Sequence, residues 1–187
     1  MSKTDFEAFV KRQQAEAKAE EARGFDPKQQ LHEWLGYLDS LYKQIEGFLH
    51  AYLDAHTATI TLRDVQLNEE FIGAYTAPML TLTIGRSMVT FTPIGTMLIG
   101  TKGRVDVKGP LGVVRLALVN KKITNARQLI QVRVTIDGDS PAPPTTARQA
   151  INQIEWAWKI STPPPDMKFM DLTEDTFFDM ILAVANG

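Results

Sequence analysis

The stretch PMLTLTIGRSMVTFTPIGTMLIGTKGRVDVKGPLGVVRLALV, residues 78–119, decides the fold. Leu80, Leu82 and Ile84 alternate with Thr81 and Thr83, and Val89 and Phe91 resume the pattern after a break at Gly85, Arg86 and Ser87. Val105 and Val107 alternate with Arg104, Asp106 and Lys108, and a break at Gly109 and Pro110 leads into Val113–Val119. Successive side chains of a strand point to opposite faces, so each run presents one apolar and one polar side. Glycines between the runs supply the turns. This is a meander of short antiparallel strands whose apolar face the rest of the chain must cover.

The cover lies on both flanks. Asp26 suits a helix N-cap, Pro27 the first helical position, and Gln29 completes a capping-box spacing. From Leu31 to Leu53 apolar residues recur at steps of three and four, among them Trp34, Leu38, Leu41, Tyr42, Ile45 and Leu49. The heptad spacing of Leu31, Leu38, Ile45 and Tyr52 also permits a paired helix, but the stripe is broader than a two-stranded seam, and packing on the sheet is the expectation. Near the other end, Asp171 and Glu174 have capping-box spacing before Phe177, Phe178, Ile181, Leu182 and Ala185, the apolar side of a C-terminal helix.

Between these helices the period is two. Thr59–Leu67 reads as a strand, but Ile60 and Leu62 have one parity and Val65 and Leu67 the other, which predicts a bulge near Asp64. Asn68, Glu69 and Glu70 read as a turn, and Phe71–Thr76 as a short strand. Pro93 marks an edge or a strand break, because proline cannot donate to a ladder. Residues 129–136 alternate strictly, 137–144 are a proline-rich loop, 145–154 hold a short helix, and Trp156, Trp158 and Ile160 lie on a last strand. The two tryptophans should pack on the long helix. Pro163, Pro164 and Pro165 form a stiff connector. The expected fold is therefore α+β: a curved antiparallel meander of about six to eight strands, strongly bent or barrel-like, packed on a long N-terminal amphipathic helix and a C-terminal helix.

Residues 1–24 stand outside that unit. Thr4 and Glu7 can open a helix carrying Phe6, Phe9 and Val10, after which alanine and mixed charge run to Arg23. An arm with so little to bury is a spacer or a surface for another chain. The expected organisation is thus an arm over 1–24 and one domain over 25–187.

Composition excludes several function classes. The 187 residues contain no cysteine, so disulfides, thiolate metal sites and cysteine nucleophiles are absent, as suits a reducing cytoplasm. No apolar run reaches membrane-spanning length, and residues 1–21 have no apolar segment of the kind that targets a chain for export. Gly95 to Lys102 has the glycines of a phosphate loop, but Thr101 separates the second glycine from the lysine and no helix follows. His32 and Glu33 open like a zinc-protease helix, yet position 36 is glycine. His50, Asp54 and His56 make a thin metal set and read as a surface pair at a helix end. The acids around the last helix complement its dipole. No catalytic residue, metal or cofactor is expected.

The charge distribution leaves one surface feature. Residues 101–136 hold Lys102, Arg104, Lys108, Arg115, Lys121, Lys122, Arg127 and Arg133 against Asp106 alone. The leading expectation is a non-enzymatic interaction and assembly protein that uses its arm, through Phe6, Phe9 and Val10, for self-association or capture of a protein partner. The alternative is an anionic partner, nucleic acid or a phosphorylated ligand, held by Lys102, Arg104, Lys108, Lys121, Lys122 and Arg133. That segment has no aromatic residue on which bases could stack.

Overall fold

The computed structural model describes residues 26–96, 101–128, 155–163 and 167–185. The chain divides into two units, 1–33 and 34–187. Helix α1 (Pro27–Asp54) begins in the first and continues through the second. Its N-cap is Asp26, whose Oδ1 accepts the amides of Lys28 (2.9 Å) and Gln29 (3.3 Å). The Gln29 side chain does not close a capping box; it donates forward to Glu33 at 3.0 Å.

In the second unit, and among the described residues, seven strands form one antiparallel sheet in sequence order. They are β1 (Ala58–Glu69), β2 (Gly73–Ile84), β3 (Ser87–Gly95), β4 (Gly103–Gly109), β5 (Gly112–Asn120), β6 (Trp156–Ser161) and β7 (Phe169–Asp171). Helix α2 (Glu174–Ala185) follows. The alternation read from residues 78–119 sets the core face. Leu80 pairs with Phe91 and Phe91 with Val107, Leu82 with Val89, and Val105 with Leu116. All of these side chains are buried. Among the described residues the sheet is open, not barrel-like, with β1 and β7 as its outermost strands. The two helices cover the apolar face, so the sheet does not have to close on itself to bury it.

From Trp34 onward the α1 stripe seats on this face through Trp34, Leu38, Leu41, Tyr42, Ile45 and Leu49. Three hydrogen bonds fix its position: Tyr42 Oη to the Pro78 carbonyl (2.7 Å), Gln44 Nε2 to that of Leu172 (3.0 Å), and Trp158 Nε1 to that of Tyr37 (3.0 Å). Trp158 thus packs on α1 as expected, with its ring 6.0 Å from Trp34. Helix α2 starts two residues later than the Asp171 spacing suggested. Thr173 and Thr176 cap each other's amides, at 2.8 and 3.3 Å, while Asp171 ends β7 and holds the buried Lys159 ammonium at 2.9 Å. Phe177 of α2 lies 5.4 Å from the Phe48 ring and 6.4 Å from that of Phe91.

The predicted bulge near Asp64 does not exist. All twelve residues of β1 pair in unbroken register with β2, from Ala58 opposite Ile84 to Glu69 opposite Gly73, which also absorbs the short strand and moves the turn to 70–72. The parity switch has another cause. Pairing of β2 with β3 runs only as far as Leu80 and Phe91, short of Pro78 and Pro93, neither of which has an amide hydrogen to donate. Outboard of that point β1 and β2 continue as a two-stranded ribbon, which twists more than a sheet. There the other face turns inward, with Val65, Leu67 and Tyr75 half-buried and Ala77 buried. The irregularity falls instead in β3, between Pro93 and Gly95.

On the opposite face Ala117, Val119, Ile123 and Phe169 form a small second cluster joined by Ala126 and Met167. The expected strand over 129–136, the loop over 137–144 and the helix over 145–154 lie outside the described residues.

Candidate functional site

Helix α1 ends in a Schellman motif. The Thr57 amide donates to Tyr52 O at 3.0 Å and the His56 amide to Leu53 O at 3.1 Å. The left-handed position, usually glycine, is His56 with φ of 55°. This motif turns the chain sharply from the helix into β1 and leaves a groove between them. On the helix side Glu46, His50, Leu53, Asp54 and His56 line it; on the strand side Ala58, Thr59, Ile60 and Leu62 do. Its volume is about 570 Å³. Leu62 on its floor is 53% exposed, a high value for a leucine on the apolar face of a sheet.

The groove is negative. Glu46 and Asp54 are carboxylates, α1 has no basic residue in its last turn, and the C-terminal end of a helix carries a partial negative charge. His50 Nδ1 stands 3.3 Å from Asp54 Oδ2, and both side chains are largely exposed. Among the described residues no three histidine or carboxylate side chains converge as a metal site would require. What the groove does offer is main chain. β1 is an edge, so alternate amides and carbonyls along it have no strand beside them among the described residues.

Among the described residues, several cations of the basic segment already have partners. Arg104 grips Asp106 through two bonds, Nε–Oδ1 at 2.6 Å and a second at 2.7 Å to Oδ2, and that carboxylate raises the guanidinium further above its ordinary range. Lys121 pairs with Glu155 at 3.1 Å. The Lys102 ammonium lies over the rings of Trp156 (5.2 Å) and Tyr37 (5.8 Å). Lys108 is exposed on β4, and Lys122 is exposed just beyond β5. Arg133, like Phe6, Phe9 and Val10 of the arm, lies outside the described residues.

A part-buried polar cluster went unread in the sequence because its members lie on separate strands. The Glu69 carboxylate accepts the Thr96 amide (2.9 Å), the Thr96 hydroxyl (2.8 Å) and the Tyr75 hydroxyl. A Cβ at Gly95 would come within 2.8 Å of the Glu69 carboxyl carbon, so glycine admits the contact. The cluster ties the β1–β2 ribbon to the end of β3. Burial, with help from Glu69, raises the Tyr75 phenol above its ordinary value; burial alone raises Tyr42, against the pull of the Leu80 amide.

These two phenols predict alkaline sensitivity. In the unfolded chain tyrosine ionises near pH 10, whereas the fold holds both protons to higher pH. Their stabilisation is therefore complete below that value and is lost as pH rises above it, by up to about 1.4 kcal/mol per pH unit for the buried Tyr42 and by less for the half-buried Tyr75. Urea midpoints should fall steeply above pH 10 in the parent chain and less in the Tyr42→Phe/Tyr75→Phe double variant. Equal slopes in the two chains would exclude this account.

Compared with protein-family models, with curated proteins and with solved structures, the chain matches none of them.

Proposed function

We propose that this protein is a non-catalytic interaction module that takes an extended segment of another protein as an added strand along β1. The observation that carries the reading is the contrast between the two edges. Folded proteins guard sheet edges by keeping them short, by charging them, or by covering them. β7 is three residues long, whereas β1 is twelve. The first charges on β1 are Arg63 and Asp64, so residues 58–62 (ATITL) form an uncharged, half-apolar edge beside a groove. Strand addition uses this arrangement: main-chain bonds supply affinity, and a groove for alternate side chains supplies selectivity.

The reading rests on β1 and not on the N-terminal arm. The anionic-partner alternative loses ground because Arg104 and Lys121 already face carboxylates and Lys102 is seated on aromatic rings.

Random linear peptides displayed against the full-length chain should yield binders. Bound peptides should shift the β1 amide resonances and the Ile60 and Leu62 methyl resonances. Leu62→Asp leaves the fold intact because the side chain is more than half exposed, and it should weaken such peptides about tenfold or more by placing a charge against an apolar contact. Binders that map elsewhere and ignore Leu62→Asp would overturn the proposal.

A further inference from the structure

We infer, on the reading of β1 as a docking edge, that the docked segment carries a lysine or arginine flanked two residues away by apolar side chains. An added strand places every second side chain on the α1 side of the sheet, over the groove. There it meets an apolar floor of Leu53, Ile60 and Leu62 and a rim bearing Glu46 and Asp54. The lining includes no lysine or arginine, and the negative end of the α1 dipole points the same way. Lys43 lies near Glu46 and His50 near Asp54, but both stand on the helix and neither reaches onto the apolar floor of the lining. A cation on the carboxylate rim is the complement of this field; an acidic side chain there would meet like charge.

The same charges argue against a second copy of this chain as the occupant. A closed pair formed by antiparallel β1 strands has its twofold axis normal to the joined sheet. Both α1 ends would then stand on one side of that sheet, one on each side of the axis. Each Glu46 and Asp54 would approach its own equivalent, and no basic residue of either last turn would separate them. A basic segment of another protein has no such conflict.

The test uses the full-length chain and peptides selected from a random linear library. Selected sequences should concentrate lysine or arginine at one position, with apolar residues at the second position on either side. Replacing that basic residue by norleucine should weaken binding about tenfold, as should the Glu46→Gln/Asp54→Asn double variant, whose side chains are exposed and can change without unfolding the chain. The two changes together should cost no more than either alone. Peptides that bind along β1 with no basic preference, or that ignore the double variant, would refute the basic occupant and leave the docking edge standing. Peptides that never engage β1 would remove the edge itself. Sedimentation showing a dimer abolished by Leu62→Asp would replace the basic segment with a second copy.

Discussion

Phe177→Ala is expected to destabilise the protein by about 3–5 kcal/mol, the range for removing a fully buried aromatic ring. Phe177 is fully buried and is the point at which three elements meet. Its ring stacks on Phe91 of β3 at an interplanar angle of 20° and lies 5.4 Å from Phe48 of α1 and 5.6 Å from Phe178 of its own helix. Because β3 is held by strands on both sides and α1 by its hydrogen bonds to Pro78 and Leu172, little around the ring can collapse into the space it leaves. The neighbouring Phe178→Ala should cost far less, since that ring is only half-buried and meets Tyr52 edge-on near the surface. Urea unfolding of the two variants checks the contrast. Similar losses for both would mean that α2 does not dock by its Phe177 face.

Gly103→Ala is the second large effect, at about 3 kcal/mol. A Cβ there would lie 2.1 Å from Cζ3 and 2.6 Å from Cε3 of Trp34, a distance no packed pair of carbons tolerates. The indole cannot swing away, because it is 1% exposed and lies against Trp158. The strand is held as well, because Gly103 pairs with Leu118 and the Lys102 amide beside it donates to the Leu118 carbonyl. The cost therefore belongs to the pair. In a Trp34→Ala background, itself weakened by about 3–5 kcal/mol, adding Gly103→Ala should cost almost nothing. An unchanged cost in that background would show that the methyl clashes with something else.

The groove was the part least legible in the sequence, though each of its residues was in view. His50, Asp54 and His56 read as a surface pair with a neighbour. Their relation to Ile60 and Leu62 depends on how sharply the chain turns at His56, a non-glycine residue in a conformation that glycine usually takes. The basic segment shows the converse. Its net charge was plain, yet Lys121 finds Glu155 and Lys102 finds Trp156 across a long connection, and those contacts decide what charge is left to offer.

Residues 78–119 by themselves determined that these strands form an antiparallel meander with Leu80, Leu82, Val89, Phe91, Val105 and Val107 inward. A strand's side-chain period is a local property, and short turns leave no choice of neighbour. The α1 stripe and the apolar side of α2 were legible for the same reason, with a period of 3.6 in place of two. Only the tertiary structure decided that the sheet stays open, that β1 is its long edge, and that the parity change at Asp64 is a ribbon leaving the sheet at Pro78 and Pro93. Each of these depends on which strand lies beside which, and pairing between distant segments follows from the packing of the whole chain.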